Sequence, residues 1–351
     1  MVVLHFTVYL AKAYQSHVRG TDATDKDVLH HYVRTLALLQ QRVGDAGNEL
    51  ATSDRTIEVV MGLATVAAFK HDGEVARKHL EGLKKMVALR GGPWGLERKV
   101  LFNICYADVG RSLSTGEKTV FFAGEGAWSS YIAAPTKATR TSRNHMTPMP
   151  PDVCFHALDA RLQAVYTDLS ELARAANLAV WSNRDTDTAA YSRQGTFYRG
   201  IMFSALYRLL NLDFGSGNVD AVMRLGLLAV ASTLFSQWRG SKERYEYIAQ
   251  ELLGALVSLE KEEYGLPREV VLWLYVVGCV SVFNERERAV IMPTLVQLLG
   301  QMQMKTWDET RAVLKAFLWV DAMHDTVAEE VLVPVIFPRW EQQQQLLVSA
   351  K

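Results

Sequence analysis

The sequence predicts an all-α fold, and three observations carry that prediction. Prolines are absent from residues 1–92 and 152–266. A proline-free stretch permits helix, because proline removes a backbone donor and clashes with the preceding turn. Within these stretches apolar residues recur three and four apart, the spacing of one helical face. Two further runs, 225–235 and 270–283, are apolar on nearly every side, as expected of central helices surrounded by others. The predicted architecture is a multi-helix array, antiparallel helices around those two runs, with one long loop expected to be mobile.

Taken in order, residues 1–14 read as a first core helix. They lack the basic leader and small-residue cleavage site of a signal peptide. Leu29, Tyr32, Leu36, Leu39 and Val43 step by 3, 4, 3 and 4 and form one stripe. Ile57, Val60, Met61, Ala64, Ala67 and Ala68 form the next. After a turn at His71, Asp72 and Gly73 come Val75, His79, Leu80, Leu83, Met86 and Val87, and the short turn predicts an antiparallel pair. Arg90-Gly91-Gly92-Pro93 reads as a helix stop. Glycine enters the left-handed conformation that closes a helix, proline prevents continuation, and Arg90 complements the helix dipole.

Leu158, Leu162, Val165, Leu169, Leu172 and Ala176 repeat the helical pattern, as do Tyr245, Ile248, Leu252, Leu256 and Leu259. Thr306-Trp307-Asp308-Glu309 reads as a capping box opening a helix with Val313, Leu314, Phe317 and Leu318 on one face. Short strands at 119–122 and 331–337 are weaker expectations, because neither alternates cleanly.

Residues 134–151 differ in composition, with four prolines, three basic residues and no acids. They read as a loop between an N-terminal lobe, 1–133, and a C-terminal lobe, 152–340, the two forming one continuous domain. Residues 341–351, with four consecutive glutamines, read as a tail. No repeat period suggests a solenoid.

Of 351 residues, 49% are hydrophobic and 22% charged, as in an ordinary folded chain. Lys plus Arg and Asp plus Glu each number 38, so no basic excess suits a dedicated grip on nucleic acid. Both apolar runs are shorter than the roughly 20 residues of a membrane span, which predicts a soluble, intracellular chain. Cys105, Cys154 and Cys279 lie far apart in apolar surroundings and read as buried small hydrophobes.

No nucleophile elbow, phosphate-cradling loop or His-Glu-x-x-His is present. Gly215-Ser216-Gly217 is an isolated turn. Asp185/Asp187 and Asp321/His324/Asp325 are the nearest approaches to the aspartate-rich motifs of helical isoprenoid enzymes, but solvated faces or caps are the default reading. His30 and His31 share a helix and only one can face a partner. His79 falls on an apolar stripe and reads as a satisfied core histidine. Trp94, Trp128, Trp181, Trp238, Trp273, Trp307, Trp319 and Trp340 more often fill space between helices than line a ligand pocket. No catalytic, cofactor-binding or metal-ligating residue is assigned.

Residues 76–92, ARKHLEGLKKMVALRGG, closely resemble the signature of the fungal-specific transcription factor regulatory domain, which lies downstream of a zinc binuclear cluster in fungal regulators. The helix from Tyr32 to Leu39 resembles an earlier element of that family. Residues 268–278, REVVLWLYVVG, followed by Glu285 and Arg286, resemble another. Trp307 with 314–321, LKAFLWVD, resembles its closing element. The four pieces stand in the family's order over most of residues 1–338.

The resemblance implies a nuclear, non-enzymatic regulatory domain that contacts transcriptional or chromatin proteins, with a small-molecule effector as a candidate partner. A zinc binuclear cluster needs six cysteines and this chain has three, so the reading lacks a DNA reader of its own. No heptad segment for a dimerising coiled coil is present either. No membrane contact is expected. The alternative reading is an enzyme or small-molecule binder on the same scaffold. Trp273 and Trp319 are expected to be buried anchors.

Overall fold

The computed structural model describes residues 1–19, 26–44, 49–69, 72–122, 157–181, 188–215, 217–239, 244–259 and 265–336. Among them are thirteen α-helices and no strand, so the fold is all-α. The expected loop 134–151 and tail 341–351 lie outside the described residues. The chain divides into two compact units, Met1–Arg111 with Thr119–Phe121, and Ser112–Lys118 with 122–351.

The first unit contains α1 (Val2–Arg19), α2 (Lys26–Gly44), α3 (Asp54–Phe69), α4 (Gly73–Leu89) and the start of α5 (Arg98–Thr115). Its core joins Val2, Phe6, Tyr9 and Ala13 of α1 to Val28 of α2 and Val59, Leu63 and Val66 of α3. The α4 stripe is as the spacing predicts, with Ala76, Leu80, Leu83, Met86 and Val87 buried. The α2 stripe is not. Tyr32, Leu36 and Leu39 pack partly against the core, but Leu29 and Val43 are exposed, and Val28 and Thr35 are buried instead. Thr35 can take a core position because its hydroxyl donates to the His31 carbonyl at 2.7 Å.

The helix stop at Arg90 has the double hydrogen bond of a Schellman end. Gly92 N donates to Val87 O at 3.0 Å and Gly91 N to Ala88 O at 3.0 Å. Gly91 and Gly92 have φ of +86° and +90°, and Pro93 opens a short 3₁₀ turn. The segment 119–122 is irregular, not a strand. The buried Asp108 carboxylate accepts from Val120 N at 2.8 Å and Phe121 N at 2.9 Å, which satisfies backbone that a sheet would otherwise pair.

The second unit contains α6 (Ala160–Trp181), α7 (Thr188–Asn211), α8 (Val219–Arg239), α9 (Glu246–Leu259), α10 (Arg268–Ser281), α11 (Glu285–Gln301), α12 (Trp307–Leu314) and α13 (Asp321–Ile336). The two apolar runs are central. α8 packs on α6, α7, α9 and α10, and α10 packs on α8, α9, α11, α12 and α13. Val219–Ser236 is long and apolar enough, by length and composition, to cross a membrane, but 67% of it is buried inside the fold, as in a core helix. The predicted strand at 331–337 is helix as far as residue 336. Pro293 sits within α11 on its exposed side, where a carbonyl deprived of its helical partner can bond water.

Both tryptophan anchors are buried, Trp273 in α10 and Trp319 after α12. The capping box is present: Thr306 Oγ1 accepts from Glu309 N at 3.2 Å, and the Glu309 carboxylate accepts from Thr306 N at 3.1 Å. The helix it opens is shorter than predicted and ends at Leu314. Phe317 and Leu318 are buried from an irregular segment, not from a helical face. Irregular backbone leaves the Leu318 carbonyl free to accept from the Trp273 indole N–H at 3.0 Å.

Two outcomes are expected. Gly91→Val will destabilise the fold by roughly 1 kcal/mol or more, because valine at positive φ is strained; chemical denaturation measures it, and an unchanged midpoint would count against the cap. Trp273→Phe will cost about 1–3 kcal/mol by orphaning the buried Leu318 carbonyl, beyond what the loss of ring area accounts for in the same assay.

Candidate functional site

The acidic triplet singled out in the sequence lies at the corner between α12 and α13. Asp321 and Asp325 converge there, but on cations. Arg311 Nη2 donates to Asp325 Oδ2 at 2.7 Å and to Asp321 Oδ2 at 3.2 Å, and Lys315 Nζ donates to Asp321 Oδ2 at 2.6 Å. The Trp319 indole donates to Asp325 Oδ1 at 2.8 Å. Burial pushes the Asp325 carboxyl up, but the Arg311 and Trp319 hydrogen bonds outweigh it and hold the group below its usual range. From α6, Asn177 Nδ2 donates to the Trp319 carbonyl at 3.1 Å, and its Oδ1 accepts from Asp321 N at 2.9 Å. Two acids facing two fixed cations have no charge left over for a divalent ion.

His324 completes the corner and is fully buried. Its Nδ1 accepts from Val320 N at 3.1 Å, so its proton sits on Nε2, which has no hydrogen-bond partner among the described residues. Burial lowers its pKa to about 4, against the pull of Asp325 and Asp321. Its ring stands edge-on to Trp319, centroids 4.8 Å apart. The triplet is thus a structural joint between α12 and α13, with no groups of three or more His, Cys, Asp or Glu arranged to hold a metal among the described residues.

The signature helix α4 leads to a second polar cluster, in the first unit. The Arg90 guanidinium donates to the Thr52 carbonyl at 2.8 Å and the Gly95 carbonyl at 3.0 Å, and lies 3.0 Å from Asp54 Oδ1. That last approach is an ionic contact without hydrogen-bond geometry, since Asp54 Oδ1 has no hydrogen-bond partner. Arg42 donates to Thr56 Oγ1 at 3.1 Å, and Thr56 in turn donates to Leu50 O at 2.7 Å. Beside this cluster opens a cleft of about 920 Å³, within the size range of small-molecule sites. Arg42, Arg55, Arg90 and Lys99 line it together with Glu49, Asp54, Glu58 and Glu97. Its charge is balanced, which suits neither a polyphosphate nor a lone cation. Sequence reading saw Arg90 as a dipole partner only; nothing local to residues 88–92 reveals the Thr52 and Gly95 carbonyls.

The remaining candidates divide. His30 and His31 lie on α2, and a histidine that sequence reading did not single out, His5 of α1, joins them. His5 Nδ1 is 3.1 Å from His31 Nδ1. His79 is half-buried, but its Nε2 is buried without a partner among the described residues, so it is not the satisfied core histidine expected; burial lowers its pKa. Cys105 and Cys279 are buried. Burial pushes the Cys279 thiol up to about 12, against the pull of Arg288. A buried ion pair that the sequence did not disclose joins Asp168 of α6 to Arg208 of α7. Burial raises the Asp168 carboxyl, and Arg208 opposes that rise. Trp307 is half-buried. Asp185, Asp187, Ser216, Cys154, Trp128 and Trp340, and the side chains of Trp94, Trp181 and Trp238, lie outside the described residues.

The described scaffold is all-helical, and several of its charged side chains are tied to packing partners. Its family is specific: the chain belongs to the fungal-specific transcription factor domain family, whose model matches residues 2–319. That span includes α4 with its glycine stop, α10 with Trp273, and the Trp319 segment. No curated protein and no solved structure matches the chain.

His324 carries a pH expectation. Its folded pKa lies below the ordinary 6.5, so its contribution is fully present above pH 6.5 and is lost as pH falls from there toward about 4. The loss is on the order of 3 kcal/mol. Urea denaturation across that range will show the decline, and NMR will show a neutral His324 ring at about pH 5.5. A ring already charged at that pH would refute the buried setting.

Proposed function

We propose that this chain is the regulatory and interaction half of a fungal transcription regulator, working in the nucleus through contacts with transcriptional or chromatin proteins and without a DNA reader of its own. The observation that carries this reading is the family match over residues 2–319. Two features support it. The chain has three cysteines where a zinc binuclear cluster needs six. The acid cluster nearest to a catalytic motif, Asp321 and Asp325, is neutralised by Arg311 and Lys315.

The hypothesised mechanism is a bias in the population of partner-binding states, set by which surfaces are presented. The balanced cleft beside Arg90 is the place for a small-molecule effector, and a compact zwitterion suits its mixed lining of cations and acids better than a phosphate does. The same cleft favours the alternative reading, a small-molecule binder on the helical scaffold.

A mobility-shift assay tests the claim. The chain alone will give only weak, salt-sensitive and sequence-indifferent binding to DNA. Fused to a zinc cluster, it will shift that cluster's site. Tethered to a promoter through a foreign DNA-binding domain, it will change reporter output. Tight sequence-specific binding by the chain alone, or a tethered chain without effect on any promoter, would overturn the proposal.

A further inference from the structure

The first unit holds α1 by an apolar seat and closes it with an unusual polar contact. Phe6 lies over Gly62 of α3, where any side chain would collide with its ring. Tyr9 stacks on Tyr32 of α2, centroids 5.0 Å apart. Beside that seat, three imidazoles meet. The His5 ring is 5.1 Å from His31 and 6.3 Å from His30, and His30 is 5.4 Å from His31, centroid to centroid. The 3.1 Å approach of His5 Nδ1 to His31 Nδ1 needs one nitrogen to donate and the other to accept, so at least one of the two rings is neutral. Doubly charged, both nitrogens are donors and the contact becomes repulsive.

Among the described residues, every charge that acts on His5 lowers its pKa. From α2, Arg34, His31 and His30 face His5, and the Met1 amino group lies on the same side. On α2 the nearest acid, Asp27, is engaged by Lys12 at 3.2 Å. On α3, Asp54, Arg55 and Glu58 face the cleft beside Met1 and Val3, and Asp54 contacts Arg90. Among the described residues, no carboxylate forms an ion pair with His5, His30, His31 or Arg34. Burial first, then His31, Arg34, His30 and the Met1 amino group, lower the His5 pKa.

We propose that the contact of His5 with His31, beside His30, is a pH-sensitive latch: while one of the two facing nitrogens can accept, it holds α1 against α2, and acidification that leaves both as donors releases α1, uncovering the seat of Phe6 and Tyr9. The sign follows from His5. Its folded pKa is depressed, so the hold is complete above the ordinary 6.5 and is lost as pH falls below that value toward the folded one. A released α1 exposes apolar surface of α2 and α3, which converts a proton signal into a change of interaction surface.

Hydrogen exchange on the whole chain at about pH 7.5 and about pH 5.5, corrected for the intrinsic pH dependence, tests the latch. Protection of the α1 amides will fall at least about tenfold at the lower pH, while α10 amides keep theirs. In H5Q/H31Q the amides can bond each other at either pH, so α1 protection will be insensitive to pH. Should the double variant fold poorly, NMR titration of the His5 ring in the unaltered chain serves instead, and its midpoint will coincide with the loss of α1 protection. Unchanged α1 protection in the unaltered chain, or an equal fall in the double variant, would overturn the proposal. So would zinc at about pH 7.5 protecting α1 in a manner lost in H5Q/H31Q, because the pair would then be a metal site.

Discussion

The second unit depends on burying the Trp273 indole without orphaning its N–H. Trp273 is fully enclosed within the apolar helix α10, and a donor left unpaired there would cost as much as a strong hydrogen bond gains. The Leu318 carbonyl answers it at 3.0 Å, and it is available only because the chain leaves the helix after Leu314. That irregular segment then presents Trp319 to Asp325, hands two backbone groups to Asn177, and turns His324 inward to cap Val320. One satisfied indole thus accounts for the shape of a corner that otherwise looks like a cluster of reactive groups.

In the first unit the corresponding constraint is the left-handed pair Gly91-Gly92. It ends α4 sharply enough for Arg90 to reach back to the carbonyls of residues 52 and 95. The arginine joins the start of α3, the end of α4 and the approach to α5 through donors fixed in a plane. The cleft beside it is lined by Arg90, Thr52 and Asp54 among others, with as many acidic as basic side chains.

Among the described residues, several buried or half-buried charges serve packing. Asp168 pairs with Arg208, Asp108 accepts from backbone, and the Asp321 and Asp325 carboxylates are held by Arg311 and Lys315. The histidines between α1 and α2 differ, because their partners are one another.

What the sequence determined by itself was local. The stripes of α4, α6 and α9, the Thr306 capping box, the glycine stop and the all-apolar character of α8 and α10 are all settled by residues within one or two turns. The tertiary structure decided whatever depends on a neighbour. Leu29 and Val43 belong to the right period, but α1 and α3 select Val28 and Thr35 as the buried face of α2. The helix after Thr306 stops at Leu314, and the irregular segment beyond it offers the Leu318 carbonyl to a tryptophan 45 residues away. Arg208 reads as a surface residue until Asp168 faces it, and His5 reads as an ordinary helical residue until α2 brings His31 to it. Helix formation is written in spacing that a sequence shows directly; pairing between distant groups exists only once the chain has packed.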